Sequence, residues 1–247
     1  MDFSVVIPVR NEAANIPPLV AELRAALDGR YSYEIIYVDD GSDDASVGEL
    51  RRLQAELPNL RILCHARNCG QSTSLRSGVR AARGKWIVTL DGDGQNDPAD
   101  IPLLLDAVAA ARAEDHLQLV IGHRAQRRDT WLRRLSSRVA NGIRSRMLRD
   151  RTPDSGCGLK AFPRQAFLDL PYFDHMHRFL PALVRRNGGS VQSVKVNHRP
   201  RTRGISKYGL HNRLWVGIVD LIGAWWLMHR AKLPQVSEVE RPDSATS

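Results

Sequence analysis

The 247-residue chain is 43% hydrophobic, enough for a sizeable core, which excludes an intrinsically disordered protein. Its net charge of +9 is uneven: 18 of the 27 acidic residues but only 12 of the 36 basic ones lie at or before Gln118. A mildly acidic front and a strongly basic back suggest two anionic ligands, one held through a cation and one held directly. The three cysteines, Cys64, Cys69 and Cys157, show no paired spacing, which fits a reducing compartment without a disulfide framework. No basic region followed by a long apolar one opens the chain, so no signal peptide is expected.

Phe3 to Ile7 reads as a buried strand stopped by Pro8. Asn15 is placed to cap a helix with Pro17 in its first turn, and Leu19, Val20, Leu23, Ala26 and Leu27 follow at helical spacing. Tyr33 to Val38 is a second strand. Asp43 or Asp44 then starts a helix with Val47, Leu50, Leu53 and Leu57 on one face. Leu60 to Leu63 is a third strand. A loop with Asn68 and Gly70 leads to a helix ending near Gly84. The fourth strand carries Trp86, Ile87, Val88 and Leu90. Asp100 is expected to cap a helix through Ala111, and Leu117 to Ile121 is a fifth strand. Alternating strands and helices with short connections imply an α/β fold with a mostly parallel sheet and helices on both faces.

The fourth strand ends in Asp91-Gly-Asp-Gly-Gln95. Three oxygen-bearing side chains at alternate positions suit a hard cation, Mg²⁺ or Mn²⁺, that also holds phosphate. The alternative is an acidic turn, since Asp and Gly are ordinary turn residues. Every predicted strand end carries polar groups: Arg10, Asn11 and Glu12; Asp39 and Asp40; Arg67 and Asn68; Asp91 and Asp93; His123 and Arg124. In an open α/β sheet such ends converge on one crevice, which favours a site. No glycine-rich phosphate loop is present, so a metal is expected to manage phosphates.

Trp131 to Leu148 reads as a helix ringed by Arg133, Arg134, Arg138, Arg144, Arg146 and Arg149. Arginines so clustered suit bidentate contact with phosphate; a solvated basic face is the alternative. Asp154-Ser-Gly-Cys-Gly breaks the helix and re-enters a strand-like run. His175 to Val219 holds nine Lys and Arg and no acid, including Arg201-Thr-Arg-Gly-Ile-Ser-Lys207. Leu214 to Met228 is nearly all apolar, with Trp215, Trp225 and Trp226. At roughly 22 Å it falls short of a bilayer core of about 30 Å and it contains Asp220, so it reads as an amphipathic helix in the membrane interface. A core or dimer-interface helix is the alternative. The expected division is a catalytic domain over 1–210, an interface helix over 211–232 and a disordered tail over 233–247.

Together these residues resemble the inverting family 2 glycosyltransferases of GT-A (Rossmann-like) fold, and within them the polyprenol-phosphate group typified by dolichol-phosphate mannose synthase. The resemblance covers Phe3 to about Tyr208. Val6-Ile-Pro-Val-Arg-Asn-Glu12 is similar to the opening donor motif, Val38-Asp-Asp-Gly-Ser42 to the base-binding motif, and Asp91-Gly-Asp-Gly-Gln95 to the metal motif. Gly122-His-Arg124, Arg133-Arg-Leu-Ser-Ser-Arg138 and Arg201 to Lys207 resemble segments that serve the donor and acceptor phosphates. The chain departs from the pattern at Arg10, where tyrosine is usual. Asp154-Ser-Gly-Cys-Gly is nearer the aminoarabinose and glucose transferases than the mannose enzymes.

The resemblance implies transfer of a sugar from a UDP- or GDP-linked donor to a polyprenyl monophosphate with inversion. It places Pro8, Arg10, Glu12, Asp40, Gly70 and Asp91 on the nucleotide sugar, and Asp91, Asp93 and Gln95 on Mg²⁺ or Mn²⁺. Arg124, Arg133 and Ser137 would receive the acceptor phosphate, and Asp93, Arg124, Arg201 and Lys207 would carry catalysis. The expected partners are the nucleotide sugar, the lipid phosphate and a membrane surface, at the cytoplasmic face of the inner (plasma) membrane as a peripheral protein; homo-oligomers are left open. A saccharide or protein acceptor and a non-catalytic subunit are the rival readings within the fold. A nucleic-acid binder is the rival outside it, disfavoured because the basic stretch lacks interleaved aromatics to stack on bases.

Overall fold

A computed structural model describes residues 2–124, 142, 144–150, 152–200, 210–230 and 232. Seven strands form one sheet: β1 (Phe3–Val9), β2 (Tyr33–Asp39), β3 (Leu60–Cys64), β4 (Trp86–Thr89), β5 (Leu117–Arg124), β6 (Lys160–Pro163) and β7 (Ser190–Val196). Their order is β3-β2-β1-β4-β6-β5-β7. All pairings are parallel except the two that β6 makes with β4 and β5. The helices are α1 (Ile16–Leu27), α2 (Ser46–Glu56), α3 (Gln71–Ala81), α4 (Ile101–Ala110), α5 (Arg164–Leu168), α6 (Leu180–Arg186) and α7 (Leu210–Arg230). One group joins α1 to α2 and α4; a second links α3 to α5 and, through the turn at 176–178, to α6 and α7. They cover the two faces of an α/β sheet, as the alternating pattern predicts.

Strands β1 and β2 are buried almost throughout, which is why they read as continuous apolar runs without alternation. Pro8 does not stop β1, which continues to Val9. Leu90 N donates to Val6 O on the β4 side, and Asp40 N donates to Val9 O on the β2 side. Even-numbered residues of β1 therefore face β4, whose pairing ends at Val6 with Thr89. The amide hydrogen that Pro8 lacks is not needed by any ladder.

Two capping expectations need correction. Asn15 stands before α1, but its side chain makes no cap bond; its Nδ2 donates to Glu12 Oε2 at 2.6 Å. Asp100 precedes α4, yet its carboxylate accepts from Asn197 N at 2.6 Å. Asn15 is taken up by the turn just before it and Asp100 by a segment 97 residues on, and these bonds replace the local cap. The second helix also starts later than expected, at Ser46, with Asp44 Oδ1 accepting from Ser46 N at 2.9 Å.

At the rear edge, where the strands begin, Glu34 of β2 is almost fully buried. Its Oε1 accepts from Ser4 Oγ at 2.6 Å and Arg83 N at 2.7 Å, and its Oε2 from Arg61 Nη1 at 2.7 Å. Burial opposes its charge, but these donors more than compensate and hold the carboxyl below the usual glutamate range.

The last helix is longer than the sequence suggests. At 21 residues α7 measures about 31 Å, so length does not decide whether it spans a bilayer. Its apolar content does: among the described residues no helix is long and apolar enough to cross a membrane. Ala224 is buried against the protein and Arg186 Nε donates to Leu227 O at 3.0 Å. Trp215, Val219, Ile222 and Trp226, one stripe at helical spacing, are exposed.

Candidate active site

The ligand edge is built by loops leaving β1, β2, β4 and β5 and by the turn entering β6, which runs the opposite way and so begins where the others end. Asp39 and Asp40 close β2 with separate tasks. Asp39 binds Ser42 N at 3.0 Å and shapes the turn. Asp40 Oδ1 accepts from Cys69 N and His65 Nδ1, both at 2.8 Å, and Oδ2 accepts from Gly70 N at 2.8 Å. Burial would raise its pKa, but the bonds from His65, Cys69 and Gly70 hold it below the ordinary aspartate range. A carboxylate accepts about four hydrogen bonds; three are made, which leaves Oδ2 able to receive a donor from a ligand. His65 is fixed in turn by Ser77 Oγ at 2.9 Å from Nε2. Gly41 is required by contact, since its φ is +69° and a Cβ would lie 2.8 Å from the Arg67 backbone.

Asp40, His65 and Cys69 are also the one group of three His, Cys, Asp or Glu residues, among those described, whose ligand atoms lie within 4.8 Å of one another. Within that group the Asp40 carboxylate already carries a backbone amide on each oxygen, from Cys69 and Gly70.

The acidic loop separates its carboxylates. Asp91 turns inward: Gln71 Nε2 donates to its Oδ1 at 2.8 Å. A Cβ on Gly158 would fall 2.2 Å from its Oδ2, so the turn before β6 closes over Asp91 only because position 158 lacks a side chain. Burial and the neighbouring Asp93 carboxylate push Asp91 upward. Asp93 is half-buried, and its Oδ1 accepts from Gln95 N at 3.1 Å. Two carboxylates that repel, with a third oxygen donor at Gln95, are a donor set that a hard divalent cation relieves; the residues fit such an ion.

The chain after β7 returns to this loop. Arg199 N donates to Gln95 O at 3.1 Å, Asn96 bridges His198, and Arg199 Nη1 reaches Glu22 Oε1 at 2.9 Å. Arg199 also pairs with Asp97. The basic segment that follows thus departs from beside the acidic loop. Arg201 and Lys207 themselves, like Arg133 and Ser137, lie outside the described residues.

The remaining expected positions are spread along the same edge. Pro8 and Glu12 are half-buried and Arg10 is exposed; Gly70 contributes its amide to Asp40. Arg124 does not stand open. Its Nε and Nη2 hold Asp154 Oδ2 and Oδ1 at 2.6 and 2.8 Å, a two-pronged pair. The sequence reading missed His65, Gln71, Lys160, His177 and Arg178. Lys160 falls inside the quoted Asp154–Phe162 stretch, and His177 and Arg178 inside the acid-free stretch, but one-dimensional spacing gives no sign that they meet. They line a cavity of about 150 Å³ with Gln71, Asp91 and Gly158.

The sheet, with acidic residues at the ends of β2 and β4, is the arrangement expected of a GT-A glycosyltransferase. The glycosyl transferase family 2 model matches residues 4–170, and the chain belongs to that family, in its polyprenol-phosphate group. It is 35% identical over 239 residues to a dodecaprenyl-phosphate galacturonate synthase of Rhizobium johnstonii, covering 95% of this chain and 69% of that protein. It is 35% identical over 210 residues to an undecaprenyl-phosphate 4-deoxy-4-formamido-L-arabinose transferase of Edwardsiella ictaluri, covering 84% of this chain and 63% of that one. The chain thus spans about two thirds of the length of these relatives. Its fold is similar to that of glucosyl-3-phosphoglycerate synthase from Mycobacterium tuberculosis, solved with Mn²⁺, UDP and glucosyl-3-phosphoglycerate. The TM-score is 0.69 at 19% identity, over 95% of this chain and 81% of that one.

Proposed function

We propose that the protein transfers a sugar from a nucleotide diphosphate to a polyprenyl monophosphate, with inversion at the anomeric carbon. The observation that carries this reading is the return of the chain after β7 to Gln95, which brings the root of the basic segment against the acidic loop. A donor diphosphate and a second phosphate can then meet at one edge of the sheet.

Asp40 receives a donor from the base through Oδ2, and Pro8, Arg10 and Glu12 line the same side. Asp93 and Gln95 hold Mg²⁺ or Mn²⁺, while Asp91, turned under the loop, faces the sugar. The divalent ion, when bound, neutralises charge on the departing diphosphate. Arg133 and Ser137 seat the lipid phosphate; Arg124, pinned to Asp154, serves it from the end of β5; Arg201 and Lys207 close over the donor. A phosphate monoester has a second pKa of about 6, so it arrives ionised and needs no general base. Its oxygen forms the new bond to C1 as the C1–O bond to the diphosphate breaks, and the nucleoside diphosphate leaves. Orientation and charge carry the rate.

The outward face of α7 supports docking at a lipid surface. Trp215, Trp225 and Trp226 are all more than 40% exposed, and the flanking Arg230 and Lys232 suit anionic headgroups. We place the protein as peripheral, on the cytoplasmic face of the inner membrane, where nucleotide sugars and lipid phosphate meet.

The test is to incubate the protein, Mn²⁺ and undecaprenyl phosphate with a panel of nucleotide sugars and weigh the lipid product. A glycosyl-phospholipid in which the anomeric centre has inverted is expected. Transfer to water, free saccharide or protein alone would end the reading.

A further inference from the structure

Relatives at equal identity carry the names of a uronic acid and of a neutral formamido-pentose, so likeness does not choose the donor. The cavity beside the acidic loop does. Its volume of about 150 Å³ is that of a cavity known to admit a single six-membered ring. It adjoins the metal-holding loop through Asp91, where the donated sugar must lie if the diphosphate sits on Asp93. Its polar walls are Gln71, Asp91, Lys160, His177 and Arg178, so Asp91 is the one carboxylate among them.

Two cations, Lys160 and Arg178, stand against the one carboxylate of Asp91; burial pulls the Lys160 pKa below the ordinary lysine range while Asp91 supports its charge, which leaves one positive charge over. Lys160 is 4% exposed, and its ammonium makes one hydrogen bond among the described residues, to Cys157 O. A lysine carries three donors. Arg178 is half-buried and lines the cavity, and its guanidinium has no hydrogen bond or ion pair among the described residues. The other acids nearby are engaged: Asp154 by Arg124, and Asp220 and Asp174 by His175 on the far side of the turn. His177 adds no charge. Burial keeps its pKa well below the histidine norm, and Nδ1 is bonded to Ser72 Oγ at 2.8 Å. A neutral hexose would leave that surplus positive charge facing hydroxyls, whereas a carboxylate on the sugar neutralises it.

We propose that this cavity reads a carboxylate on the donated sugar, through Arg178 and Lys160, so that the donor is a nucleotide-linked hexuronic acid. The proposal rests on the transferase reading above and adds the class of sugar to it. Arg178 supplies the two-pronged contact, Lys160 the point charge, and Gln71 holds Asp91 away from the incoming anion.

The experiment compares each uronic acid with its parent hexose on the full chain: UDP-galacturonate against UDP-galactose, UDP-glucuronate against UDP-glucose, GDP-mannuronate against GDP-mannose. One arm measures kcat/KM with undecaprenyl phosphate in micelles. The other measures donor binding by calorimetry without acceptor. At least one uronate should exceed its hexose by 10- to 100-fold in both arms, the range expected for a hydrogen bond to a charged group. Arg178→Gln should lower uronate affinity at least about tenfold more than hexose affinity, and Arg178→Lys should restore part of the difference. A hexose equal to or better than every uronate, in either arm, overturns the proposal. So does an equal loss for both sugars in Arg178→Gln with an unchanged circular dichroism spectrum. Absence of lipid product with every donor counts against the transferase reading instead, and the binding arm still decides the cavity.

Discussion

Asp93 and Asp91 are two residues apart, yet the fold turns one outward and one under a loop. Asp93→Ala is therefore expected to lower metal-dependent turnover at least 100-fold with the far-ultraviolet spectrum unchanged, since it removes an anionic ligand from a charge-stabilising ion. Retained activity at saturating Mn²⁺ would refute its place on the cation. Gly158→Ala acts on the other carboxylate. A methyl group placed 2.2 Å from Asp91 Oδ2 must displace the aspartate or the turn, at a cost of about 1–3 kcal/mol. Thermal unfolding should register that loss, and donor affinity should fall with it. Asp40→Asn substitutes an amide group that cannot accept from Cys69 N, Gly70 N and His65 together, so nucleotide binding should weaken about tenfold or more. A titration with UDP and GDP reads this directly and tells which base the pocket prefers. The positions of Asp40 and Asp93 at strand ends were legible because an apolar run ending in acids is a one-dimensional signal. Lys160 and Arg178 were not: they lie on different elements, β6 and the turn at 176–178, and only packing brings them to one cavity.

Elements tell a similar story, with a different limit. The existence of β1 to β5 followed from apolar runs, and that of α1 to α4 and α7 from their spacing; β7, α5 and α6 gave no such signal, being short or, in β7, largely exposed. Helix starts did not follow either, because the expected caps bond elsewhere, Asn15 to Glu12 and Asp100 to Asn197. The short antiparallel β6 was only hinted at, since four residues give no period. Helix α7 shows the reverse case. It is apolar on both sides: Leu221, Ala224, Leu227 and Met228 pack on the protein and the tryptophans stand outside, whereas a helix that only faces a core turns polar residues outward. Replacing Trp215 and Trp226 together by serine should reduce partition onto vesicles of anionic phospholipid by about tenfold or more, because each loses the insertion of a large apolar ring. Flotation measures it. Solution turnover with a short-chain lipid phosphate should change little. Equal flotation of the double variant and the parent would refute the interfacial docking.

The whole molecule divides its edges between stability and chemistry. The rear edge is tied by Glu34, which joins β1, β3 and the loop before β4. Its pKa lies below the unfolded value of about 4.5. Its stabilisation is therefore complete above that pH and is lost as pH falls through the lower, folded value. Denaturant midpoints should drop as solutions are taken below pH 4.5, and Glu34→Gln should flatten that part of the profile while costing about 2–4 kcal/mol at pH 7. An unchanged slope in the variant would assign the acid sensitivity elsewhere. Nothing in the sequence marks Glu34 as different from a surface glutamate, because its partners lie 27 to 49 residues away.

The reversed direction of β6 has a further consequence. Because β5 leaves the sheet and β6 re-enters it at the same edge, everything between Arg124 and Lys160 is an excursion that starts and finishes on the ligand side. Its last part is fixed to the scaffold: Asp154 pairs with Arg124, Cys157 and Leu159 are buried in the core, and Gly156 and Gly158 line the cavity beside Asp91. Grafting only the part before Asp154 between relatives that use different lipid chains should carry the preference for the recipient with it, while the choice of sugar stays behind with the parent scaffold.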